Sequence, residues 1–287
     1  MCSAAASSAK AFFLSAGVGR RFCLYYAVAD NVKCHGAVLF VPPFGEEMNK
    51  SRRMMALQAQ SLARQGFAVL LMDLYGCGDS DGELRDASWS DWKSDLAVAC
   101  DWLHERTNAP VSLLGLRLGA LLSLDFLRDG NAANTPNTPI KQLVMWQAVL
   151  NGQQFLTQFF RLRLANEMLS GNNAQSGSTQ AIRQALINGE TIEIAGYEVP
   201  SQLALPIDAL NAAQCPPQNC AVHWLEIQTT ASLELPPARK KIADQWMQQH
   251  VDFDLTLLAG PEFWATAEIS ECSDLITLTC KIFAQGT

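Results

Sequence analysis

The chain has 287 residues, of which 49% are hydrophobic and 17% charged, so it can bury one large core and reads as one domain with an insertion rather than two equal domains. A formal net charge of −7 and a pI near 5.1 argue against nucleic acid or an anionic membrane as the main partner. The nine cysteines are scattered, several inside apolar runs, and an odd count without a framework predicts reduced thiols.

Met1 to Lys10 is small and polar, with no basic region followed by an apolar core, and so does not read as a secretory leader. No apolar run reaches the roughly 18 residues that would span a bilayer. A cytoplasmic protein without a membrane span is the expectation. Ala11–Leu14 and Arg21–Val28 flank Gly17-Val-Gly19 as an opening β-hairpin. Gly36–Val41 is apolar on both faces, as a central parallel strand would be, and ends in Pro42-Pro-Phe-Gly45. Glu46–Arg64 repeats apolar residues at helical spacing until Gly66. Phe67–Met72 is a second buried strand and leads into the turn Asp73-Leu-Tyr-Gly-Cys-Gly-Asp-Ser80.

Ser90–Glu105 is predicted as a helix with Trp92, Leu96 and Leu103 on one face. Next comes Val111-Ser-Leu-Leu-Gly-Leu-Arg-Leu-Gly-Ala120, a strand, a tight turn and the start of a small-and-apolar helix running to Leu127. This is the pattern of a nucleophile elbow, in which two glycines let strand and helix approach while the residue between them projects from a strained corner. That residue is Arg117. Arginine stays protonated and has no lone pair for attack on a carbonyl, so the position cannot supply a nucleophile.

Asn131–Pro139 reads as a loop, Gln142–Val149 as a strand and Gly171–Gly177 as a break between helical pieces. From 151 to 217 Gln and Asn become frequent and buried-strand runs vanish. Gly189–Val199 alternates at period two, as an exposed hairpin would. Residues 151–217 are therefore predicted to form a lid inserted into a core made of 1–150 and 218–287. Ala221–Ile227 and Phe253–Leu258 are further strands, with helices over Pro237–Gln249 and Thr266–Phe283. Alternating strands and helices of this kind require a mostly parallel sheet covered on both faces.

Pro42–Arg53, Asp73–Ser80, Gly115–Ala120 and Gly260-Pro-Glu-Phe-Trp-Ala-Thr-Ala-Glu-Ile269 together resemble the α/β-hydrolase superfamily, over nearly the whole chain. More narrowly the four motifs are similar to exosortase A system-associated hydrolase 2, found in bacteria that sort PEP-CTERM proteins and make exopolysaccharide. The resemblance implies a site built on Ser, His and an acid with a backbone oxyanion hole. Here the nucleophile position is Arg117, the loop Ala259–Ala265 has no His, and Gln228–Leu233 after the acid-bearing strand has no Asp, although Glu226 and Glu234 flank it. His35, His104, His223 and His250 fall outside the triad position. By analogy with the superfamily, the oxyanion donors would be the N–H of Leu118 and one from Phe44 or Gly45.

Three functional readings follow. In one, the pocket binds a carboxylate, phosphate or acyl ligand without cleaving it, anchored by Arg117; in the bland counterpart Arg117 pairs internally with Glu46, Glu47 or Glu262. In the second, an active ester or thioester hydrolase has a rebuilt centre drawing on Glu262, Ser80, Cys77 or Asp73. In the third, the apolar stripe Phe155, Phe159, Phe160, Leu162 and Leu164 serves an interaction module of a protein-sorting or exopolysaccharide pathway, as a homo-oligomer or with a partner protein. No cofactor is expected, because Gly76-x-Gly78 and Gly115–Gly119 fit hydrolase turns better than a phosphate loop. No metal is expected either: Cys215 and Cys220 lack the second pair of ligands that a closed zinc site needs.

Overall fold

The computed structural model describes residues 9–128, 138–169 (backbone alone from 166), 178–217, 220–229 and 234–285. Parts of four expectations lie outside those residues: 1–8 of the segment Met1–Lys10, 131–137 of the loop Asn131–Pro139, the break 171–177, and 230–233 in the loop after the acid-bearing strand.

Eight strands form the main sheet: β1 (Ala9–Ser15), β2 (Arg20–Tyr26), β3 (Gly36–Val41), β4 (Phe67–Met72), β5 (Val111–Leu116), β6 (Ile140–Trp146), β9 (Ala221–Gln228) and β10 (Phe253–Ala259). A separate hairpin pairs β7 (Ile192–Ile194) with β8 (Tyr197–Val199). The order across the main sheet is β1-β2-β4-β3-β5-β6-β9-β10. Only the opening hairpin and the β2–β4 junction are antiparallel. Every pairing from β4 to β10 is parallel. This is the mostly parallel sheet that the strand–helix alternation predicts, and it agrees with the α/β-hydrolase fold that the motif resemblance implies.

Side chains alternate between two cores because successive residues of a strand face opposite sides. Ala37, Leu39 and Val41 of β3 face one core with α2 (Trp89–Thr107), α3 (Leu118–Arg128) and α7 (Pro237–Gln248), whereas Val38 and Phe40 face the other with α1 (Glu46–Arg64) and α8 (Ser273–Gln285). β3, β4 and β5 are buried at every position, which explains their unbroken apolar sequences. Between β6 and β9 the chain adds α4 (Gly152–Leu169), α5 (Thr179–Ile187), the small hairpin and α6 (Ser201–Ala209), none of which joins the main sheet.

Three expectations need correction. β6 stops at Trp146 rather than Val149, because Gln147 takes a left-handed φ of 43° that ends the extended run. The hairpin is only half exposed: Ile192, Ile194 and Val199 are buried on one face. The last helix starts at Ser273 and not at Thr266. There Thr266 donates its hydroxyl to the Glu268 carbonyl at 2.8 Å and shares a 3.1 Å bond with Ser270, local bonds that compete with helix formation.

Candidate ligand-binding site

The parallel strands end on one side of the sheet, and the loops leaving β3, β5, β6, β9 and β10 converge there. At the β5–α3 turn Arg117 has φ 54°, the strained left-handed corner that the elbow pattern predicts. Its N–H donates to the Trp146 carbonyl at 3.0 Å, and its own carbonyl accepts from Ala120 and Val149 at 3.1 Å each, so β6 and α3 clamp the corner. A Cβ on Gly119 would lie 2.3 Å from the Val41 carbonyl oxygen, and one on Gly115 2.6 Å from Ala120 Cα. Strand and helix can meet this closely only without those side chains.

The guanidinium of Arg117 lies side-on against Glu47 in the first turns of α1. Nη2 donates to Oε1 at 3.0 Å, and Nε donates to Oε1 at 3.1 Å and to Oε2 at 3.3 Å. Nη1 sits 3.5 Å from the Gln147 carbonyl, and the ring of Trp264 lies 5.6 Å below Cζ. Burial pushes the Glu47 carboxyl up from its ordinary value, and the Arg117 charge opposes that shift. Of the three acids predicted as partners, only Glu47 takes the role. Glu46 accepts from Asn49 at 3.2 Å and from the Tyr197 hydroxyl at 3.4 Å, whereas Glu262 is exposed and the same loop presents Trp264 instead.

Phe44 and Leu118, the two nearest candidates for oxyanion donors, line an apolar cleft with Trp92, Met48 and Leu122 whose free volume is only about 10 Å³. Phe44 fills it, ringed by Trp92, Phe155, Phe159 and Tyr197 at centroid distances of 5.2 to 6.2 Å. Neither the N–H of Leu118 nor that of Gly45 donates to another group among the described residues, and Gly45 itself holds φ 59° and ψ −132°, open to glycine alone. Donors are present, but the space for a substrate acyl group beside them is shut. Phe155, Phe159 and Phe160 of the predicted stripe point inward, while Leu162 is 49% exposed.

The turn from Asp73 to Ser80 is occupied structurally. Arg52 pairs with both Asp73 oxygens at 3.2 and 3.1 Å, and the Ser80 hydroxyl donates to the Asp73 carbonyl at 2.6 Å while accepting from Phe22 N–H at 2.9 Å. Cys77 is pushed up to about 12 by burial and by the nearby Asp73 and Asp95 charges, far from a thiolate at neutral pH.

On the other side of Arg117 a cavity of about 560 Å³ opens between α4, the loop after β6 and α7. It contains the residue that the sequence reading missed. Arg239, in the first turn of α7, donates through Nη1 to the Ala148 carbonyl at 3.0 Å and to Glu226 Oε1 at 2.6 Å. Glu226 is fully buried and also accepts from the Trp224 indole at 2.5 Å, but its Oε2 has no hydrogen-bond partner among the described residues. Burial pushes its carboxyl up to about 7 against the pull of Arg239 and Arg117. The available signal was a carboxylate inside an apolar strand, which demands a cation. Three successive cations, Arg239, Lys240 and Lys241, left its identity open.

A family model described as serine aminopeptidase, S33 matches residues 32–181. Among solved structures, the chain is similar to Est1E from Butyrivibrio proteoclasticus with ferulic acid bound, at TM-score 0.65 and 14% identity over 96% of this chain and 98% of that one. It is also similar to a soluble variant of monoglyceride lipase from Saccharomyces cerevisiae in complex with a substrate analogue, at TM-score 0.64 and 11% identity over 99% and 97%. A lipase/esterase from Lactobacillus plantarum aligns at TM-score 0.60 and 13% identity over 97% and 98%. At these identities the likeness is one of fold. No curated protein matches the chain.

Proposed function

From a chain that belongs to the serine aminopeptidase S33 family of α/β-hydrolases and yet carries Arg117 at the elbow, we propose a receptor that binds an organic anion without cleaving it. The observation that carries this is the Arg117–Glu47 pair: the elbow side chain is a cation already held side-on by a carboxylate, with no lone pair to offer. Two further features support it. The cleft beside the oxyanion donors has no room for an acyl group, and the open cavity next to Arg117 brings in a second arginine. Residues 151–217 act as the lid of this cavity, to which Gln154, Phe155 and Gln158 of α4 contribute. The resemblance of the four motifs to exosortase A system-associated hydrolase 2 supports extending this proposal to a receptor in cytoplasmic support of protein sorting or exopolysaccharide synthesis. Among the described residues no helix is long and apolar enough to cross a membrane.

The test is a panel of short- and medium-chain acyl esters and thioesters offered to the purified protein and to Arg117→Ser, with thermal shifts in anionic sugars and fatty acids read in parallel. The expected result is no turnover by either protein and a raised melting temperature of the wild type with an anion. A serine alone does not restore hydrolysis because the loop Ala259–Ala265 supplies no histidine. Turnover by the wild type that is lost in Arg117→Ser, and also in Arg117→Ala assayed beside it, would make Arg117 part of a working atypical centre.

A further inference from the structure

The two arginines of the site differ in one respect that decides where an anion goes. In Arg117 the Nε–Nη2 edge, the side of the guanidinium that matches a carboxylate bidentately, is taken by Glu47. In Arg239 the bonds to Ala148 and Glu226 both use Nη1, and the Nε–Nη2 edge has no partner among the described residues. The side chain is only 18% exposed and lines the cavity, so its free edge is held in place beside open space. Its counter-charge, Glu226, lies below it with one oxygen unpartnered among the described residues. Lys241 adds a third cation to the cavity lining, after Arg117 and Arg239.

The rest of the lining is mixed, with Val149, Leu150, Phe155 and Ile242 on an apolar side and six side-chain amides on a polar one, and the amides select the body of the ligand. Asn151 and Asn211 use their side-chain oxygens as caps, accepting from Gln154 N–H at 2.8 Å and Ala213 N–H at 3.0 Å, which leaves each an NH2 donor. Gln245 donates to the Ala213 carbonyl at 3.0 Å, which leaves its oxygen as an acceptor. The side chains of Gln154, Gln158 and Gln214 have no partner among the described residues, so both ends of those amides are available. Hydroxyl groups, which donate and accept at one atom, suit such a wall. An alkyl chain laid along it would desolvate amides without replacing their hydrogen bonds.

Resting on the receptor reading above, we propose that the cavity binds a polyhydroxylated carboxylic acid, with the carboxylate side-on to Arg239 and the hydroxyls on the amide wall. Arg239 and not Arg117 is then the anchor. Arg117, already neutralised by Glu47, forms a wall of the cavity.

Isothermal titration of the full chain with glucuronate, glucose and octanoate tests this. Glucuronate is expected to bind at least about tenfold more tightly than either glucose, which lacks the charge, or octanoate, which lacks the hydroxyls. Arg239→Lys keeps a charge over Glu226 but loses the planar fork, and is expected to weaken glucuronate about tenfold with little change in melting temperature. The paired variant Arg239→Gln with Glu226→Gln removes the cation without stranding a buried carboxylate, and is expected to lose glucuronate binding while remaining folded. Octanoate binding as tightly as glucuronate, with both dependent on Arg239, would overturn the hydroxylated class and leave the receptor reading standing. Glucuronate binding untouched in both Arg239 variants would overturn the anchor alone. Failure of the wild type to bind either acid would overturn this inference and the receptor reading together.

Discussion

The two sides of Arg117 have opposite fates. On the side of Phe44 and Leu118 the N–H groups of Gly45 and Leu118 have no acceptor among the described residues, yet aromatic rings leave only about 10 Å³ beside them. On the side of Arg239 about 560 Å³ is open and a guanidinium edge has no partner among the described residues. The backbone of the elbow is therefore a requirement of strand–helix packing, as the Gly119 approach to Val41 shows, and persists whether or not chemistry is done there. On the receptor reading proposed above, what separates a binding site from a catalytic one in this frame is side-chain volume on one face and charge on the other.

Several changes break or sharpen that contrast. The largest effect is expected from Arg239→Ala, which strands a fully buried carboxylate and costs about 3–5 kcal/mol of stability above pH 7, measurable by urea unfolding. Protonation of Glu226 relieves that cost, so the variant recovers stability as the pH falls to 5. Phe44→Ala removes the ring that closes the cleft and costs about 3 kcal/mol. Because the nucleophile is still absent, this variant is expected to open the cleft without gaining esterase activity or altering anion affinity.

A subtler effect is the pH dependence carried by Glu226. Its folded-state value of about 7 lies above the ordinary carboxylate value of 4.5, so between those limits the folded protein holds a proton that the unfolded chain has released. Stability from this group is full below the ordinary value and is lost as the pH rises through about 7; Glu226→Gln removes that slope. The charged groups acting on it are Arg239 from α7 and Arg117 from the elbow, with Glu47 behind Arg117 and the Trp224 indole beside it. An anion placed on Arg239 competes with Glu226, so its binding is expected to tighten as the pH falls from 8 to 6 and to be flat in Glu226→Gln. The smallest effect is expected from Glu47→Gln. Freeing the Arg117 charge without removing the side chain should tighten anion binding about threefold by titration.

How much of this was legible in the sequence divides along the same line. Apolar runs with no alternation identified β3, β4 and β5, and the spacing of Gly115, Arg117 and Gly119 identified the elbow, because both depend on neighbours along the chain. Arg117 was correctly narrowed to carboxylate partners, but only packing could choose Glu47 over Glu46 and Glu262. The closed cleft joins Phe44 to Phe155 and Phe159, and the anchor joins Glu226 to Arg239. These contacts cross elements, and no local pattern encodes them. The late start of α8 has a different origin, since Thr266 and Ser270 divert the chain into side-chain bonds that apolar periodicity does not register.

The most direct test of the account is a crystal structure of the wild-type chain grown with glucuronate. The account predicts an intact ligand in the cavity between α4 and α7, its carboxylate within about 3 Å of Arg239 Nε and Nη2, with Phe44 in place and Arg117 still on Glu47. A ligand found instead against the Leu118 N–H, with Phe44 displaced and Arg117 released, would contradict it.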